Sequence, residues 1–154
     1  MAQKTKVAGA TRVMDLMTRD PIVIDPDVTI ERVLALMQEA SIRHMPVVDE
    51  QGLLGMISER DLRFIHRLPG FYEALGEEQV RQMLDAPIGV AMKSRFLVER
   101  DVTTLDPQEG LKRAIDLIIS TSVGALPVVD PGGEVVGILS ATDILRWLSD
   151  DFLS

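Results

Sequence analysis

The sequence predicts an α+β protein made of two copies of one β-α-β-β-α unit, related by a pseudo-twofold axis and packed through their sheets. Three observations predict it. First, a hairpin that runs into a helix occurs twice. Met45-Pro46-Val47-Val48 is an apolar run, Asp49-Glu50-Gln51-Gly52 a turn, Leu53 to Ile57 a second run, and Ser58-Glu59-Arg60-Asp61 a helix start. Leu126-Pro127-Val128-Val129-Asp130 and Gly137-Ile138-Leu139-Ser140-Ala141-Thr142-Asp143 repeat the pattern. Pro46 and Pro127 stand 81 positions apart and Asp61 and Asp143 82, because the second turn, Asp130 to Glu134, has one extra residue. Second, Ile30, Val33, Leu34 and Met37 form an apolar stripe at helical spacing, and Leu111, Ala114, Ile115 and Ile118 repeat it 81 positions on. Third, a copy of roughly 60 residues buries too little surface to be stable alone, so the two copies must share a core.

In chain order, residues 1–10 are polar or small and read as a flexible tail. The first repeat spans 11–68. Thr11 is placed to cap one helical turn from Val13 to Met17. Pro21-Ile22-Val23-Ile24 reads as a strand broken by Asp25-Pro26, and Thr29 caps the striped helix. The helix after Ser58 turns Leu62, Ile65 and Leu68 inward and stops at Pro69-Gly70. Residues 69–87 are a connector, helical over Glu77 to Leu84 and ended before Pro87. The second repeat spans 88–149. Ile88 to Met92 matches the first helical turn, and Val102 to Leu105 matches the first strand. Six extra residues fall around Arg95 to Arg100. Residues 150–154 form a C-terminal tail.

Composition excludes several functions. Lys and Arg number 16 against 24 Asp and Glu, a net charge of −8 that disfavours nucleic acid and anionic membranes as partners. A small anion can still bind in a locally basic cleft. There is no cysteine, hence no disulfide and no thiolate metal site. No apolar run spans a bilayer and no signal peptide opens the chain, so a cytoplasmic protein is expected. No Ser/His/Asp or Cys/His set, metal-spaced His pair or Walker-type loop is present. The two histidines are His44 and His66, and an enzyme is not expected.

Binding chemistry gathers where each hairpin meets its helix. A helix N-terminus offers free N–H groups and the positive end of a dipole to a phosphate. The Ser58 and Ser140 hydroxyls add donors. The Asp61 and Asp143 carboxylates can each accept two hydrogen bonds from a cis-diol such as a ribose. Ser-x-x-Asp is equally a plain capping box. Three basic groups, Arg43, His44 and Arg60, flank the first helix start, where the second copy has Gly124, Ala125 and Thr142.

Val-x-x-Leu-Met, Ile-Asp-Pro-Asp-x-Thr, Met-Pro-Val-Val-Asp and Gly-x-x-Gly-x-Ile-Ser followed by Ser-x-x-Asp resemble one CBS domain, named after cystathionine β-synthase. Leu-Pro-Val-Val-Asp and Gly-Ile-Leu-Ser-Ala-Thr-Asp resemble a second. The tandem, a Bateman module, covers about Thr11 to Trp147. The resemblance implies CBS-type units and a regulatory module that binds AMP, ADP, ATP or S-adenosylmethionine, with no catalytic cofactor and no metal. It implies Asp61 and Asp143 as ribose ligands and Ser58, Ser140, Thr142, Arg43, His44 and Arg60 as phosphate ligands. Asp20, Pro21, Ile22, Val102 and Thr103 are implied to line the adenine pocket. The second copy has no basic residue before Leu126-Pro127, which leaves one of the two clefts without that phosphate contact.

Two readings stay open: a nucleotide-sensing module, and a structural or dimerisation module whose capped helices only resemble a site. A homodimer is expected because the helices after Asp61 and Asp143 must bury Leu62, Phe64 and Ile65, and Ile144, Leu145, Trp147 and Leu148. The regulated effector protein is expected to be a separate partner.

Overall fold

A computed structural model describes residues 10–62, 74–93 and 102–153. The expected tail 1–9, the helix interior at Ile65 and Leu68, the connector's first residues and the Arg95 to Arg100 insertion lie outside the described residues. The elements are α1 (Val13–Leu16), β1 (Thr18–Arg19), α2 (Ile30–Glu39), β2 (His44–Asp49), β3 (Gly52–Ser58), a helix start at 59–62, α3 (Glu77–Leu84), α4 (Ile88–Lys93), α5 (Leu111–Thr121), β4 (Ala125–Val129), β5 (Val135–Ser140) and α6 (Ala141–Phe152). This is the α+β pattern expected.

The described residues divide into two compact units. One joins the residues up to Pro21 with those from Val102 onward, and the other runs from Ile22 to Asp101. The units cut across the repeats at 11–68 and 88–149, because the opening helical turn of each repeat docks in the other unit. Val13 N–H donates to Glu109 O at 2.9 Å and Met14 N–H to Pro107 O at 3.0 Å. Val13 is fully buried with Leu105, Leu111, Ala114 and Leu126. In the other unit Ile88 N–H donates to Val28 O and Gly89 N–H to Pro26 O, both at 2.8 Å, and Ile88, Ala91 and Met92 join a core with Ile24, Ile30, Val33 and Met45. A four-residue or six-residue helix is too short to stand alone in water. Its apolar side chains hold it where a core completes it.

The hairpins match in register and irregularity. β2 and β3 pair antiparallel from His44 opposite Ser58 to Asp49 opposite Gly52, with a register shift between Val47 and Val48. β4 and β5 pair from Ala125 opposite Ser140, with the shift between Val128 and Val129. Alternation sends Met45, Val47 and Ile57, and Leu126, Val128 and Leu139, into the two cores.

Two local expectations need correction, and one strand was not anticipated. The strands expected at Pro21 to Ile24 and Val102 to Leu105 shrink to single parallel bridges, Ile24 with Val47 and Leu105 with Val128. Ile24 N–H donates to Pro46 O at 3.0 Å and Ile24 O accepts from Val48 N–H at 2.9 Å. Pro21 has no N–H to donate, and Asp25 Oδ1 takes Asp27 N–H at 2.9 Å, bending the chain at once. The first turn is capped at Arg12, whose N–H donates to Asp15 Oδ2 at 2.8 Å, and not by Thr11, whose carbonyl instead accepts Leu111 N–H at 3.0 Å. Finally, β1 pairs with β5, Thr18 opposite Ile138 and Arg19 opposite Gly137, giving the strand order β1-β5-β4. Gly137 permits it: a Cβ there would lie 2.5 Å from Met17 Sδ and 3.0 Å from Thr18 O.

Candidate functional site

In both units the start of the first hairpin strand, the end of the second and the following helix converge. Glu59 N–H donates to Arg43 O at 2.7 Å, and Ala141 N–H donates to Gly124 O at 2.9 Å, so the same backbone clamp holds both junctions. Helix starts follow because Ser58 and Ser140 act as N-caps. Ser58 Oγ accepts from Asp61 N–H at 3.1 Å and donates to Asp61 Oδ2 at 2.6 Å, while Ser58 N–H donates to the same Oδ2 at 3.0 Å. The corresponding distances at Ser140 and Asp143 are 3.0, 2.7 and 2.8 Å.

These are complete capping boxes, the plain structural reading of Ser-x-x-Asp. They do not use up the carboxylates. An ionised carboxylate offers about four lone-pair sites. Among the described residues every hydrogen bond to Asp61 or Asp143 goes to Oδ2. Oδ1 of each, on a half-buried side chain, retains its acceptor capacity. A rigidly held carboxylate with one unshared oxygen is suited to accepting hydroxyl protons from a diol.

The two junctions differ in charge. The unit from Ile22 to Asp101 brings Arg43, His44, Ser58 and Asp61 together. His44 lies opposite Ser58 in the ladder, and burial holds its imidazole pKa below the usual value of 6.5, with Asp61 opposing that shift and Arg43 adding to it. Arg43 is 80% exposed. Arg60 is exposed in the first helical turn. The other unit has Gly124, the buried Ala125 and the exposed Thr142 in these places.

The residues expected to line an adenine pocket are more dispersed. Ile22 stands two positions before Ile24, and the parallel bridge of Ile24 to Val47 carries it toward the His44 end of β2. It is 41% exposed, beside Val23 at 45%. The bridge of Leu105 to Val128 carries the half-buried Val102 and Thr103 toward the Ala125 end of β4 in the same way. Asp20 and Pro21 follow β1, whose antiparallel register directs them toward the start of β5, away from Ser140. Asp20 has φ +48°.

Sequence reasoning missed Glu59. Its Oε2 stands 3.9 Å from Arg43 Nε, so a carboxylate accompanies the basic group. The hairpin register was the available signal, since pairing His44 with Ser58 places Arg43 opposite Glu59. The Glu31, Val80 and Leu84 groove, about 280 Å³, lies between α2 and α3 and contains none of the binding residues expected from the sequence. Among the described residues no group of three His, Asp or Glu could hold a metal, and no helix is long and apolar enough to cross a membrane.

Comparison with known proteins agrees with this architecture. The CBS domain family matches residues 13–66 and 94–150. A CBS domain-containing protein of Dictyostelium discoideum is 30% identical over 137 residues, covering 88% of this chain and 90% of its own. Protein MJ1225 of Methanocaldococcus jannaschii is 29% identical over 135 residues, and the match takes in 88% of this chain but only 46% of that protein. The chain thus spans less than half of some curated relatives. Among solved structures, CBSX2, a CBS-pair protein of Arabidopsis thaliana, in complex with AMP superposes with a TM-score of 0.69 at 25% identity, over 90% of this chain and 96% of that one. The duplicated hairpin-to-helix junction is therefore that of a tandem CBS pair, and the chain belongs to the CBS domain family.

Proposed function

We propose that the chain is a regulatory, non-catalytic module that senses an adenosyl ligand, AMP, ADP, ATP or S-adenosylmethionine, and passes the signal to an effector protein from a cytoplasmic homodimer. One observation carries the reading. At both junctions the capping aspartate is fixed through Oδ2, and among the described residues nothing donates to Oδ1, which suits a ribose diol. Asp61 and Asp143 are the ribose acceptors. Ser58, Ser140 and Thr142 are hydroxyl donors to the ligand, and Arg43, His44 and Arg60 hold phosphate. Asp20, Pro21, Ile22, Val102 and Thr103 line the base. The AMP complex of CBSX2, a protein of similar fold and length, supports the ligand class.

The asymmetry of the junctions refines the proposal. Among the described residues only one carries cationic side chains at these matched positions. A charge-assisted contact from guanidinium to phosphate contributes about 1.5–3 kcal/mol, roughly a factor of ten or more in affinity. The chain accordingly holds one strong phosphate-bearing ligand and has one weak or empty site. The competing reading, a structural module without ligand, is favoured by the completeness of both capping boxes.

A thermal scan separates the two. A ligand that binds only the folded state at a hundredfold excess over Kd adds about 2.7 kcal/mol. Millimolar AMP, ADP, ATP or S-adenosylmethionine should raise the melting temperature of ligand-stripped protein by several degrees for at least one of the four. No shift with any of them would establish the structural reading.

A further inference from the structure

We infer that His44 is a proton-operated gate on the anion affinity of the junction between β2, β3 and the helix start at 59–62. The inference rests on the proposed binding of a phosphate-bearing ligand there. Two charged side chains, Arg43 and Asp61, act on His44 in this junction, and two more follow its ladder partner in sequence. Arg43 precedes it on β2. Glu59 and Arg60 follow its ladder partner Ser58, and Asp61 acts on the imidazole from the capping box. Two guanidinium groups and two carboxylates balance in number along this stretch, and protonation of His44 adds one positive charge.

Position makes this one proton matter. Arg43 is 80% exposed and its charge is shared with Glu59 at 3.9 Å, so solvent and the carboxylate both weaken its hold on an anion. His44 is half-buried at the head of the strand, where water screens less. Its cross-strand neighbour Ser58 is tied to Asp61 through Oγ and N–H. A proton on the ring therefore adds positive charge at the head of β2, across the ladder from the capping box. The burial that disfavours the imidazolium makes the protonated state dependent on an added anion. Phosphate binding and proton uptake are thus reciprocally coupled. The second junction has the buried Ala125 in place of His44 and no such coupling.

The test measures affinity for AMP and adenosine by calorimetry between pH 5 and 8, on the parent and on His44→Gln. The parent's preference for AMP over adenosine should rise roughly tenfold from pH 8 to pH 5, relative to the variant. Comparing the two proteins cancels the titration of the AMP phosphate, which has its own pKa near 6. A parent and variant with the same pH profile would overturn the gate while leaving nucleotide binding intact. Absence of AMP and adenosine binding at every pH would overturn the ligand reading and the gate together. Imidazole proton resonances supply a second measurement that does not depend on a variant of His44. The chain has two histidines, and His66→Gln assigns the signals. AMP should raise the His44 pKa. An unchanged or lowered value with AMP bound would contradict the gate.

Discussion

At the scale of the residue, the Ser and Asp pairs serve as caps whatever else they bind. Ser140→Ala removes the acceptor for Asp143 N–H and a donor to Asp143 Oδ2. It should cost about 0.5–2 kcal/mol in urea unfolding. His44 makes the stability depend on pH. Its folded pKa is lower than its unfolded value near 6.5, mainly through burial. The folded state then binds fewer protons, so the contribution is fully present above pH 6.5 and is lost as pH falls from 6.5 through the folded pKa. Unfolding midpoints measured from pH 7.5 to 5 should fall more steeply for the parent than for His44→Gln. Equal slopes would show that His44 titrates alike in both states. The paired aspartates could be read in the sequence because they recur after the same run of residues. Glu59 was missed because its effect on Arg43 emerges only when the two hairpin strands are aligned residue by residue.

At the scale of the element, most of the chain was legible. Apolar stripes gave α2 and α5, and the turn clusters at Asp49 to Gly52 and Asp130 to Glu134 gave the hairpins. What the pattern could not disclose was which core receives a short helix. Val13 and Ile88 are apolar residues in turns of four and six residues, and such segments dock wherever a core has room. The strands before Asp25 and Asp106 were overcalled because an isolated bridge and a strand share the same β-branched composition. β1 was missed because two exposed residues have no periodicity to detect. Val13→Ala should therefore destabilise the unit that contains Val102 onward, by about 2 kcal/mol or more, although Val13 lies 89 positions before Val102 in the sequence. Gly137→Ala should cost about 1–3 kcal/mol, since its Cβ meets both Met17 Sδ and a backbone oxygen. Hydrogen exchange should show amides of β4 and β5 losing protection in both variants. Loss confined to β2 and β3 would contradict the exchange of helical turns between units.

At the scale of the molecule, the apolar surface of α6 bears on assembly. Leu62 and Ile144 are buried in their own units and so are not available to a partner, contrary to the expectation that they feed an interface. Phe64 and Ile65 lie outside the described residues. Leu145 is 65% exposed, Leu148 37% and Leu153 82%, and Trp147 is half-buried against its own core. Leu145 and Leu148 lie three apart on one helix face. Sedimentation at micromolar concentration should show a dimer, and Leu145→Glu should shift it toward monomer. A parent that sediments as a monomer would remove the homodimer from the proposal.

The central claim, one phosphate-selective adenosyl site at a charged CBS junction, meets its most direct test in calorimetry of AMP and adenosine on the parent and on Arg43→Ala. The account predicts about one strong AMP site per chain. Arg43→Ala should weaken AMP binding roughly tenfold while leaving adenosine, which has no phosphate, nearly unchanged. Two equal sites per chain, or the same loss of affinity for AMP and adenosine, would contradict it.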